Sequence, residues 1–213
     1  MWALVNSKNE VTEVIKVARS ITVDDVIHPK TIFGAWSWAE LNKIGVYEVE
    51  DNGTKGNNMF QITSEPTYTF SASNKKVTTK YTITDKPLDD SDAKSEDGKD
   101  ITNSEGEKLV NIGLKTIAKN NTNKMAHDLI SRFSWLVERN IYDSSKAIPD
   151  AVKTYVAAIQ KDADDIVTAI TNAKDMTAFI ALHTDEYNSD GSLKTMNRMN
   201  RWTSDSTVKE YIR

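Results

Sequence analysis

The chain contains no cysteine. Disulfides, thiol nucleophiles and Cys-ligated metals are therefore excluded, and the fold must hold by its core, its length or its partners. No stretch approaches ~20 consecutive apolar residues, so no membrane-spanning helix is expected. Met1 to Ala18 already carries Lys8, Glu10, Glu13 and Lys16, which argues against a signal peptide and for a cytosolic or virion protein. A broad basic field is also missing. The net charge is −4, so a sequence-independent grip on nucleic acid is not expected. No G-x-S-x-G, Walker or G-x-G-x-x-G motif occurs. The three histidines, His28, His127 and His183, fall in different predicted elements without H-x-x-x-H or H-E-x-x-H spacing. Neither a metal, a cofactor nor a catalytic triad can be nominated, and the expectation is that the protein is not an enzyme.

What is present is enough for one large domain or two small ones: 213 residues, 38% hydrophobic and 27% charged. Charge divides the chain into three pieces. Residues 1–87 are neutral, residues 88–107 carry net −6, and residues 108–213 carry net +2. The middle piece, "LDDSDAKSEDGKDITNSEGE", has almost no apolar side chains with which to offset its ordering entropy. It is predicted to be an acidic linker or exposed loop, held extended by self-repulsion. The fold class expected is α+β: an N-terminal antiparallel β module with a short helix, the acidic linker, and a C-terminal antiparallel helical hairpin or bundle.

The first piece reads as strands. "WALVNSKNEVTEVIKVA" is two apolar runs around a turn-like Ser7-Lys8-Asn9-Glu10. "TYTFSASNKKVTTKYTI" alternates, with Tyr68 and Phe70 on one face, Val77, Thr79, Tyr81 and Ile83 on one face of the return strand, and a turn at Ser73-Asn74-Lys75. Such alternation predicts an antiparallel sheet wet on one side. Between these hairpins, Ser37-Trp38-Ala39-Glu40 fits the capping box S-x-x-E, and Gly45 is placed to end the helix left-handed. Phe33, Trp36, Leu41 and Ile44 are predicted to seal the short helix onto the sheet. Trp38, at the first helical position, is predicted to be half-exposed. Trp36 and Trp38 are the candidate partner-docking residues.

The last piece reads as helices. From Glu107 to about Asn140, Val110, Leu114, Ile117, Met125, Leu129, Phe133 and Leu136 form one predicted stripe. Asn121 occupies its gap, either as a register-setting polar residue or within a break at Lys119–Lys124. A second helix is predicted from Pro149, its apolar seam being Val152, Val156, Ile159, Ala163, Ile166 and Ile170, in heptad steps of 4, 3, 4, 3 and 4. "NIYDSSKAI" is short enough to make the two helices antiparallel neighbours. A third helix is predicted to begin at Asp175. A two-helix hairpin leaves much of the seam uncovered, so the seam residues are predicted to drive homo-oligomerisation, with a trimer as the first expectation. The acidic run Asp162–Asp165 is read as a solvated face, and "NRMNRW", Asn197 to Trp202, as a tail that packs on the helices.

Several of these pieces together resemble a family. Trp2 to Val5 (an opening W-A-L-V strand), Val26 to Phe33, Trp36 to Leu41 (W-S-x-x-E-L) and Ile44 to Val49 are similar to the amino-terminal β-rich module of small tail proteins from tailed bacteriophages, marine ones in particular. "TITDKPLDD" is similar to that family's strand exit, and "WLVERNIYDSSKAIPDAVKTYVAAI" to its helix, I-P turn and second helix. The acidic insert after Pro87 departs from the pattern, and so does the absence of a Trp-Tyr-x-x-Arg run at Trp135. The resemblance implies a non-enzymatic structural protein of the tail or tail fibre, made in the host cytoplasm and carried in the virion, attached to other tail proteins. The alternative it leaves is a tail-fibre assembly chaperone that is not retained in the virion.

Overall fold

A computed structural model describes residues 1–212. The chain divides into two compact units, Met1–Asp85 and Lys86–Arg213. The fold is α+β, strands dominating the first unit and helices the second.

In the first unit, β1 (Trp2–Val5) and β2 (Val11–Ile15) form the expected hairpin. Its turn is closed by Asn6, whose Oδ1 accepts the N–H groups of Lys8 and Glu10, while Asn9 takes a positive φ of 65°. A short ribbon follows, β3 (Ile21–Val23) with β4 (Val26–His28), then helices α1 (Ile32–Ala35) and α2 (Trp38–Lys43) and strand β5 (Val46–Glu50). The capping box forms: the Ser37 N–H donates to Glu40 Oε2 at 2.7 Å, and the Glu40 N–H donates back to Ser37 Oγ at 3.4 Å. Gly45 closes the helix at φ 77°, with its Cβ position only 2.8 Å from the Val5 carbonyl oxygen, so the turn has no room for a side chain. The remaining strands are β6 (Gln61–Thr63), β7 (Thr67–Ser71), β8 (Lys76–Lys80) and β9 (Ile83–Asp85).

The main sheet has the order β2-β1-β5-β8-β7. It differs from expectation in three respects. The β5–β8 pair is parallel, Val49 lying opposite Val77. The return strand stops at Lys80, so Ile83 joins β6 in a separate ribbon and is exposed. The sheet is also apolar on both faces. Ile15, Ile21, Ile32, Leu41 and Val46 form a core on the helical side, joined by Phe33, Trp36 and Ile44 as predicted. On the other face the sheet curls until edge strands β2 and β7 meet, and Ala3, Val5, Val49 and Val77 are enclosed with Tyr47, Tyr68 and Phe70. Curling of a twisted sheet covers the face that a flat sheet would leave to water.

In the second unit, the acidic segment is folded rather than extended. β10 (Ser91–Asp92) pairs with β11 (Val110–Asn111). Between them two successive turns bring Ala93, Ile101 and Leu109 into a closed ring of backbone hydrogen bonds: Ala93 N–H to Leu109 O, Ile101 N–H to Ala93 O, and Leu109 N–H to Ile101 O. Each turn has the same chemistry. Ser95 Oγ accepts the Lys99 N–H and Gly98 sits at φ 76°; Asn103 Oδ1 accepts from Glu105 and Glu107, and Gly106 sits at φ 82°. Self-repulsion is offset locally, because Asp100 is ion-paired to both Lys94 and Lys108. The segment leaves and returns to one place. Asp90 Oδ1 accepts the Gly113 N–H at 2.7 Å, and the carbonyls of Pro87 and Leu88 accept from Leu114 and Lys115. It is an appendage on the start of the next helix, not a tether.

The helices are α3 (Leu114–Ser131), α4 (Ser134–Tyr142), α5 (Asp150–Asn172) and α6 (Met176–Ala181). The first predicted helix breaks at Arg132–Phe133 and runs unbroken through Asn121, which is exposed. Its buried stripe is also displaced: Ala118, Thr122 and Ala126 are buried, whereas Ile117 and Met125 are exposed. Small side chains four apart let α3 lie close against α5. The α3–α5 contacts run antiparallel, Ala126 with Ile159 and Ala163, and Phe133 with Val152.

The predicted oligomerisation seam is already covered within one chain. Val152, Ile159, Ala163, Ile166 and Ile170 are buried, and Val156 is half-buried beside Phe133 and Leu136. Two things the heptad count did not include supply the cover: the α4 turn back onto α5, and the C-terminal tail. The tail runs through β12 (Glu186–Tyr187), β13 (Leu193–Thr195) and two 3-10 turns, Arg198–Asn200 and Ser206–Tyr211. It brings Trp202 against Ile159 and Val208 against Leu136. Five of the six are therefore buried in the subunit's own core, and Val156 stays half-buried.

Candidate functional site

The two candidate tryptophans are placed differently. Trp36 packs with the helix–sheet core and stands edge-on to His28, ring centroids 5.7 Å apart. Trp38 is 41% exposed. It opens onto a pocket shared with Asn42, Glu48 and the β7–β8 turn.

The larger concavity lies in the helical unit and was not predicted. A groove of about 480 Å³ runs between α3, α4 and α5. Phe133 and Val152 form its buried floor, with Ile130, Val137, Ile148 and Val156 along its sides and His127, Glu138 and Lys153 at its rim. Its apolar character follows from the short α4. Trp135, Leu136 and Val137 are consecutive, so a helix cannot turn all three to the core. Leu136 is buried, and Trp135 packs beside it and donates its indole N–H to the Tyr211 carbonyl at 2.9 Å. Val137 is left outward at 49% exposure, followed on the same face by Ile141 at 74%, with Tyr142 at 90%. The consecutive apolar run was the available signal, and the heptad template passed over it because Val137 and Ile141 lie off the stripe.

Several carboxylates are occupied in holding the fold. Asp51 accepts from Lys55 Nζ at 2.9 Å, the Tyr81 hydroxyl at 2.8 Å and the Thr79 hydroxyl at 2.8 Å, and these bonds hold its carboxyl down at about 2. Lys108 and Lys94 hold Asp100 at about 2. The Ser37 cap lowers Glu40. Asp185 is lowered by the backbone N–H and side-chain amide of Asn197, a contact that anchors the tail. The acidic run on α5 also has a structural use beyond solvation: Asp162 accepts the Thr203 N–H at 2.6 Å, and Asp165 lies 3.7 Å from Arg198. Trp202 donates to the Met199 carbonyl and packs on the helices, as read from the sequence. Among the described residues, no group of His, Asp and Glu side chains converges at metal-binding distance, and no helix is long and apolar enough to cross a membrane. What the groove can do is bury apolar surface of a partner, with acid and base at its edge to set register.

No protein-family model, curated protein or solved structure matches this chain.

Proposed function

We propose that this chain is a non-enzymatic structural protein of a bacteriophage tail or tail fibre, attached to a neighbouring tail protein through the groove between α3, α4 and α5. The observation that carries the reading is Val137, exposed at the mouth of an apolar groove and continued by Ile141 and Tyr142. Contiguous apolar side chains left in water are the mark of an association site. An amphipathic helix laid into the groove is the recognition mode that fits its shape, with Glu138 and Lys153 to fix the orientation. Self-association, in this reading, uses the same face, where the seam residues Val152 and Val156 line the groove. The tail as location rests on the resemblance of the Trp2–Val49 motifs and of the Trp135–Ile159 stretch. On this reading the protein is made in the host cytoplasm and carried in the virion.

Mass spectrometry of purified particles tests the proposal. Stoichiometric copies in the virion support a structural part. Presence in infected cells but absence from finished particles overturns it in favour of an assembly chaperone, which would use the same groove transiently.

A further inference from the structure

The pocket beside Trp38 differs in chemistry from the apolar groove. It holds about 190 Å³ and is lined by Trp38 and Asn42 of α2, Glu48 of β5, and Asn74, Lys75 and Lys76 of the β7–β8 turn. Trp38 and Asn42 are one helical turn apart and share a face, and the Ser37–Glu40 capping box fixes where that turn begins. Two observations single the pocket out. A large aromatic side chain stays 41% exposed next to a core that has taken in Trp36 and Leu41. Oδ1 of Asn42 is buried without a hydrogen-bond partner, a state that folded proteins seldom keep.

We propose that this pocket binds one pyranose ring of a carbohydrate. The C–H face of a pyranose is apolar and stacks on an indole, while its vicinal hydroxyls both donate and accept. The lining supplies the complement: amides at Asn42 and Asn74 that do both, a carboxylate acceptor at Glu48 and an ammonium donor at Lys75. The Asn42 amide turns about χ2 without breaking an Oδ1 hydrogen bond, and so can offer that oxygen to a ligand hydroxyl. An acceptor waiting for a donor selects a hydroxylated ligand over an apolar one of the same size. Glu48 is ion-paired to Lys76 at 3.3 Å, which holds its carboxylate in place beside the pocket. The volume admits a single ring, either a free sugar or the terminal unit of a glycan. The inference uses only the first unit and stands whether or not the protein belongs to a tail.

The test is a titration of the full chain, labelled with 15N, by methyl glucoside, methyl galactoside, N-acetylglucosamine and short oligosaccharides of the same sugars. The readout is the five indole N–H resonances and, for the variant lacking Trp38, the backbone N–H resonances of Asn74, Lys75 and Lys76, which line the same pocket. We expect one of these sugars to shift the Trp38 signal saturably at millimolar concentration. Trp38→Ala and Asn42→Ala should each weaken binding about tenfold or more, as loss of one good contact does. Asn42→Ala should leave the urea midpoint unchanged or raised, because Oδ1 makes no hydrogen bond in the folded protein, so lost binding cannot be blamed on unfolding. Tighter binding of an oligosaccharide than of its monomer assigns the ring to a glycan chain; equal binding assigns it to a free sugar. No saturable shift with any of these sugars overturns the proposal, and so does a shift that survives both substitutions.

Discussion

Asp90 closes the start of α3 from outside the helix: its Oδ1 lies 2.7 Å from the Gly113 nitrogen, and its Oδ2 accepts the Thr116 hydroxyl at 2.9 Å. The helix has no side-chain cap of its own at Gly113. A carboxylate from before the appendage therefore supplies what a local Ser or Asp would, and it matches the positive end of the helix dipole. Asp90→Ala is expected to lower stability by about 1 kcal/mol, the usual loss for a cap. Urea unfolding followed by circular dichroism measures it, and an unchanged midpoint would show that the contact contributes nothing.

Because Ser91 and Asn111 are paired across the base of the appendage, replacing residues 92–110 by Asn-Gly should leave the helices folded. A two-residue turn of that composition joins antiparallel neighbours without strain. The expected result is unchanged helical ellipticity and a cooperative transition. Loss of cooperativity would mean that the appendage is part of the core.

Ile159 is fully buried between α3 and the tail. Ile159→Asp should unfold the helical unit rather than dissociate an assembly, since an unpaired buried charge costs several kcal/mol. Ile159→Ala should lower stability by roughly 2–5 kcal/mol. Sedimentation together with circular dichroism distinguishes the cases: a folded, smaller species for Ile159→Asp would restore the seam as an interface.

Val137→Asp and Ile141→Asp are expected to behave unlike Ile159→Asp. Both side chains are outward, so stability should change by no more than about 0.5 kcal/mol. Incorporation into particles should nonetheless fall sharply for either variant. Wild-type incorporation of the double variant would rule the groove out.

Asp51 gives a pH prediction. Its folded carboxyl titrates at about 2 against an ordinary 3.8, chiefly because of Lys55, then Tyr81 and Thr79. The folded state thus binds the proton less readily than the unfolded state. The stability Asp51 contributes is fully present above the unfolded value and is withdrawn as pH falls from about 3.8 to about 2. Carboxyl 13C chemical shifts should give a midpoint near the lower figure, and Asp51→Asn should remove this residue's share of the acid dependence.

Local chemistry was legible in the residues themselves. The Ser37–Glu40 box, the left-handed Gly45, the Asp175 start of α6 and the β1–β2 and β7–β8 hairpins all depend on neighbours within a few positions, so spacing alone determined them. The α+β division followed from period two giving way to period three and four. Tertiary structure decided the rest. The parallel β5–β8 pairing, the curl that joins β2 to β7, and the return of Asp90 to Gly113 are contacts between distant segments, and no periodicity encodes them. The α5 seam was read correctly as apolar, but whether Trp202, Val208 and Leu136 or a second subunit would cover it depended on where the tail lies. A hydrophobic stripe states that a face must be buried; only the packed fold states against what.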